Sequence, residues 1–122
     1  MEVLAAIGIR ETSFINTTQS GRKGVGVFQI DLGKNPSVTS EDASNLVWAG
    51  DWAATTLDFN KSALSNAFPT LTSTDLTAAA IASWNHGLAG VSEDLRNGWP
   101  IDAFTTGSNY RANVMDLTDC FE

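Results

Sequence analysis

A chain of 122 residues with 43% hydrophobic and only 17% charged residues has the composition of one globular domain, long enough to bury a core without disulfide or metal staples. Its formal net charge of −7, with no basic stripe to offset it, argues against nucleic acid and anionic membranes as partners. No apolar run approaches the roughly 18 residues of a membrane span, and the single cysteine excludes an internal disulfide.

The pattern is helical almost throughout. A first helix is expected over residues 2–12, followed by a polar stretch from Asn16 to Lys23. Residues 24–31, GVGVFQID, read as a short strand or hairpin arm whose glycines let the backbone approach a neighbour closely. Asn35-Pro36 marks a loop. Ser40 is the expected cap of a second helix, with Glu41 and Asp42 in its first turn, where acids suit the helix dipole. Ala43, Leu46, Val47, Gly50, Ala53, Ala54 and Leu57 form its apolar stripe, continued by Leu64 and Phe68 until Pro69 stops it. Trp48 and Trp52 lie one turn apart on its flank. Thr72 or Ser73 starts a third helix, LTAAAIASWNHG, closed by Gly87. A short helix is expected after Ser92, a loop at Gly98-Trp99-Pro100, and a last helix from about Ser108 that buries Tyr110, Val114, Leu117 and Phe121. Cys120, on that apolar face, is expected to pack as a small hydrophobe. The fold class is therefore mainly α, with five to six helices and a small β-hairpin near residues 22–31, in one domain spanning 1–122. The first residues lack both the basic start and the cleavage site expected of a signal peptide. Met1 stands almost at the beginning of a helix, so a signal or a further helix is expected to precede it in the natural chain.

One residue breaks the amphipathic logic of the first helix. In IGIRETSF, residues 7–14, Glu11 shares a face with Val3 and Ile7 instead of facing water. Desolvation disfavours the charged form of a carboxyl group, and a Glu that keeps its proton near neutral pH serves as a general acid. Glycosidic bond cleavage needs such a group at the leaving oxygen. The alternative is a helix-end residue paired with Arg10 or Arg22, or simply solvated near the helix C-terminus. Asp31, ending the Gly-rich segment, is either a second carboxylate that orients an attacking water or an ordinary strand-end residue. His86 is expected to cap the third helix, whose C-terminal dipole favours it. One His and one Cys give no metal-ligand set. GVGVFQID lacks the Lys-Ser/Thr of a phosphate loop, so nucleotide binding is rejected. Trp84 and Trp99 lie beside polar turns, where an exposed aromatic face can stack on a sugar ring, while core packing is the default expectation for any one Trp.

Four blocks, AAIGIRETSFIN, GVGVFQID, LTAAAIASWNHGLAGV and TTGSNYRANVMD, then resemble, in the same order, the goose-type lysozymes and the related soluble lytic transglycosylases. Arg10-Glu11-Thr12 matches the family's Glu segment, and Gly26-Val27-Phe28-Gln29 its Gly-x-x-Gln turn. Asp31 matches the goose-type Asp, Ser83-Trp84-Asn85-His86-Gly87 the Ala-Tyr-Asn-Ala-Gly of the third helix, and Thr105 to Val114 the closing segment. The resemblance implies a lysozyme-like α+β fold. It implies cleavage of the β-1,4 bond between N-acetylmuramic acid and N-acetylglucosamine in peptidoglycan, without a cofactor. Glu11 would donate the proton and Asp31 would help hold the water. Gln29, Trp84, Asn85, His86 and Tyr110 would line the sugar cleft, with the backbone at Gly24 and Gly26 approaching the N-acetyl group. An extracellular or periplasmic location follows from the same resemblance.

The departures open other readings. Goose-type members often carry a second Asp where this chain has Ser20, with Gln19 and Arg22 nearby. A lytic transglycosylase needs no second carboxylate, since the muramyl 6-hydroxyl closes an anhydro ring. Trp84 replaces a Tyr and loses its hydroxyl, and His86 replaces a small residue. The helices that ordinarily precede the Glu helix are missing from the sequence. The charge of −7 predicts weak attachment to anionic walls at low salt. A binding module for peptidoglycan- or chitin-like oligosaccharide, or an interaction domain, is the expectation if catalysis is absent.

Overall fold

The computed structural model describes residues 1–18 and 24–121. The chain is mainly α-helical, with six α-helices and one small antiparallel hairpin among the described residues. It gathers into two compact units, Met1–Thr55 and Thr56–Glu122. Among the described residues no helix is long and apolar enough to cross a membrane.

The first unit opens with α1, Glu2–Thr12, whose buried face is Ala6, Ile7 and Gly8. Ser13 ends it in the left-handed conformation at φ 53°, and its N–H returns to the Ile9 carbonyl at 2.9 Å. The hairpin follows as β1, Gly24–Val25, and β2, Ile30–Asp31, with Gly24 opposite Asp31 and Val25 opposite Ile30. The expected strand over 24–31 is thus two very short arms around a tight turn. Gly26 sets that turn at φ 79°, and the backbone approaches so closely that a Cβ there would lie 1.9 Å from the Ala43 carbonyl oxygen. The part of the expected β element at residues 22 and 23, with Ser20 and Arg22, lies outside the described residues. Gly26→Ala would combine a strained φ with a backbone clash. We expect it to cost about 2–4 kcal/mol, read as a lowered denaturant midpoint.

The second expected helix divides. Thr39, not Ser40, caps α2, Ser40–Ser44, by accepting from the Asp42 N–H at 3.1 Å. Asn45 then turns extended, and its Oδ1 accepts from the Trp48 N–H at 3.0 Å, capping α3, Leu46–Ala67. This break resets the helical phase. Leu46 and Val47, expected in the stripe, are exposed, and the buried side of α3 runs through Ala49, Ala53, Asn60 and Leu64. Trp48 and Trp52 are half-buried on the flank.

The second unit is built around α4, Ser73–His86. Thr72 caps it by accepting from the Asp75 N–H at 3.1 Å, and Gly87, at φ 87°, closes it. Its side chains from Ala78 to Ser83 are all buried, and it packs against both α5, Leu88–Arg96, and α6, Tyr110–Thr118. Leu64, Ala79, Ala82 and Val91 form the core, flanked by Phe68, Leu76, Leu88, Leu95 and Ile101. The short helix expected after Ser92 begins instead at Leu88, directly after the Gly87 cap. Ser92 lies inside it and donates to the Leu88 carbonyl at 2.8 Å. The last helix starts at Tyr110, after a 3₁₀ turn at Thr106–Ser108, and gives way to another at Asp119–Phe121. Tyr110 and Val114 are buried, but the change of period turns Phe121 and Cys120 outward, against the expectation that both are packed.

Candidate functional site

Five of the proposed site residues, Glu11, Gly24, Gly26, Gln29 and Asp31, belong to the first unit. Glu11 is half-buried in the last turn of α1, one turn beyond the fully buried Ile7. The neighbouring Thr12 hydroxyl donates to the Val27 carbonyl at 2.9 Å, so the helix end that carries Glu11 is fastened to the hairpin turn. Gly8 leaves room on the same helix: a Cβ there would stand 2.9 Å from the Phe14 ring and 3.2 Å from Val27.

Gln29 is held at φ 52°, in the left-handed region. Its side-chain amide donates to the Thr17 carbonyl at 3.1 Å and the Gly26 carbonyl at 2.8 Å, so both amide protons are spent on the backbone. Its Oε1 occupies the space beside Gly24, where a Cβ would come within 2.6 Å. Gly24 is thus small to admit Gln29, and Gly26 is small to admit Ala43. Asp31 is half-buried. Its Oδ1 accepts from the Gly33 N–H at 2.8 Å and the Lys34 N–H at 3.1 Å, while its carbonyl accepts from the Asn35 side chain at 2.9 Å. One carboxylate oxygen therefore organises the turn after β2, an Asx-type arrangement.

Trp84, Asn85, His86 and Tyr110 belong to the second unit. Asn85 clamps Thr106 at two points: its Oδ1 accepts from the Thr106 N–H at 2.8 Å, and its Nδ2 donates to the Thr106 hydroxyl at 3.0 Å. This ties the end of α4 to the segment before α6. His86, in the last turn of α4, turns toward α5, with its Nε2 3.4 Å from Asp94 Oδ2. Gly90 makes the space, since a Cβ there would lie 2.5 Å from that Nε2. His86 thus joins two helices, where the sequence predicts a cap. Trp84 is half-buried. Tyr110 is 1% exposed, and its ring is part of the core.

A further set of residues escapes the sequence reading. Asp102, itself buried, accepts at Oδ1 from the Thr105 hydroxyl at 2.9 Å and the Arg111 N–H at 2.8 Å, and at Oδ2 from the Ala112 N–H at 3.0 Å. The Arg111 Nε stands 3.4 Å from Oδ2 as an ion pair. Asp102 so serves as the N-terminal cap of α6 from eight residues upstream of its first residue, in place of Asn109, whose side chain makes no cap bond. The Thr105 hydroxyl also accepts from the Tyr110 N–H at 3.3 Å. The only available signal was an Asp three residues before a Thr, ahead of a helix.

Among the described residues no three His, Cys, Asp or Glu side chains are grouped to hold a metal ion. The chain matches no family model and no curated protein sequence.

Proposed function

We propose that the protein is a glycosidase of peptidoglycan, cutting the β-1,4 bond between N-acetylmuramic acid and N-acetylglucosamine with Glu11 as general acid. The observation that supports this most is the setting of Glu11: half-buried, one turn past Ile7, on a helix end bonded to the Gly-rich hairpin through Thr12. Cleavage of a glycosidic bond needs a carboxyl group as proton donor at the leaving oxygen, the part this reading gives to Glu11. The four sequence blocks in family order support the same reading. Trp84 would offer an aromatic face to a sugar, Asn85 and His86 polar edges, and Tyr110 the packing beneath. Gln29 would contribute through Oε1 and by bracing the hairpin at Gly24 and Gly26.

In this mechanism the Glu11 proton passes to the leaving glycosidic oxygen as the C1–O bond breaks. For hydrolysis, water then attacks C1 from the far face, with Asp31 Oδ2 orienting it and accepting its proton. A second ending is favoured by two observations: Asp31 Oδ1 is committed to a turn, and Ser20 stands where a second Asp would help. The muramyl 6-hydroxyl would then attack C1, return its proton to the Glu11 carboxylate and leave an anhydro end.

Mass analysis of purified peptidoglycan after incubation tests the reaction, since reducing ends mean hydrolysis and anhydro-muramyl ends mean transglycosylation. Asp31→Asn keeps an Oδ1 acceptor for the turn. It is expected to slow hydrolysis by about 10²-fold if water is the nucleophile, and to leave anhydro-end formation nearly unchanged otherwise. Absence of any new ends under the wild-type protein would leave a binding module or an interaction domain as the better reading.

A further inference from the structure

The loop between α5 and α6 leaves two large rings in water. Trp99 is 46% exposed and Phe104 55% exposed. Their centroids are 5.2 Å apart and their planes meet at 62°, edge to face. The His86 ring lies 6.0 Å from that of Phe104, tilted by 31°.

The backbone that carries these rings is bonded at several points. The Trp99 N–H donates to the Asp94 carbonyl at 2.9 Å, the Ala103 N–H to Pro100 at 3.0 Å, and the Thr105 N–H to Asp102 at 3.2 Å. The Asp102 carboxylate holds the far end of the loop to α6, and Asn85 holds Thr106 to α4. His86 is set by Asp94, 2% exposed, at 3.4 Å. Rings mounted on a braced loop meet a ligand with little ordering cost.

We propose that Trp99, Phe104 and His86 form a stacking platform for an uncharged N-acetylhexosamine ring of a glycan strand. The ligand class rests on the cleavage reading above; the platform itself lies outside the residues that reading uses for bond breaking. Three features select this occupant. A pyranose offers a C–H face to an aromatic ring and a hydroxyl rim to polar neighbours such as His86. The charge of −7 disfavours an acidic ligand. Two rings contribute at most roughly 150–250 Å² each, well short of the about 800 Å² per partner that a stable protein interface buries. The Asn85–Thr106 bonds make the platform continuous with the proposed cleft residues at the end of α4.

The test is a titration of the 122-residue chain carrying Glu11→Gln with N-acetylglucosamine tetramer, following the four tryptophan indole N–H resonances. The Trp99 signal should move, Trp99→Leu and Phe104→Leu should each weaken binding by about fivefold, and Trp99→Tyr should retain most of it. Leu keeps the apolar area and removes the ring, and both positions are exposed, so circular dichroism should be unaltered. Unchanged affinity in both Leu variants overturns the platform, as does a titration that moves no tryptophan signal or moves Trp84 alone. A wild-type chain that elutes as a dimer, and as a monomer after Trp99→Leu, also overturns it, in favour of self-association. Movement of Trp99 in a protein whose wild type leaves peptidoglycan uncut would sink the cleavage reading and keep the platform.

Discussion

Glu11→Gln is expected to lower peptidoglycan cleavage by about 10²–10⁴-fold, the range of a lost general acid, while the protein stays folded. The substitution keeps the size and most of the polarity of the side chain and removes only the transferable proton. The half-buried setting of Glu11 in the last turn of α1 allows the exchange without a new cavity. Thr12, which fastens that turn to Val27, is untouched. The measurement pairs turbidity loss of purified cell walls with mass analysis of the ends, and with a thermal melt to show that the fold persists. Equal activity in both proteins would remove Glu11 from the chemistry and the glycosidase proposal with it.

The second large effect is structural. Asp102→Ala is expected to cost about 2–4 kcal/mol, because it strips a helix of its cap and removes the buried partner of an ion pair whose Arg111 side chain is partly exposed. The carboxylate accepts three hydrogen bonds and faces the Arg111 guanidinium; without it the Arg111 and Ala112 N–H groups lose their acceptor, and the Thr105 hydroxyl keeps only the Asp102 carbonyl at 3.1 Å. Arg111 Nε, already buried without a hydrogen bond, would lose its counter-ion. Urea denaturation reads the total. Hydrogen exchange at Arg111 and Ala112 reads the location, and protection there should fall first. Asp102→Asn retains one acceptor oxygen and should cost less than half as much. A loss below about 1 kcal/mol for Asp102→Ala would show that the cap is redundant.

The contrast between these two residues shows what a sequence exposes. Glu11 stands out because helical periodicity is a local rule, and a carboxylate in phase with Ile7 violates it. Thr72 and Gly87 likewise mark the ends of α4 through cap chemistry that acts over three or four residues. Asp102 acts on N–H groups nine and ten residues later, across a turn whose geometry no periodicity encodes. Asn45 was hidden for another reason: the apolar letters around it continue a helical stripe, and only its Oδ1 bond to Trp48 shows that one helix ends and the next begins there. Gln29, Asp31 and Asn85 carry a similar lesson for the site. Their order along the chain is readable, but the share of their hydrogen-bonding capacity already spent on the protein's own backbone depends on tertiary placement.

The alanines of α4 have a consequence for how the sequence can change. Ala78, Ala79, Ala80 and Ala82 are all buried, and α5 and α6 are packed on this slender rod. A methyl group already fills the gap, so even a valine must push a neighbouring backbone aside, typically at 1–3 kcal/mol. A saturation library should therefore show Ala78, Ala79, Ala80 and Ala82 as a band tolerating only glycine- to serine-sized residues, while the exposed side of α3 accepts nearly anything. Drift in this protein would be recorded on its periphery, and its central rod would hold still.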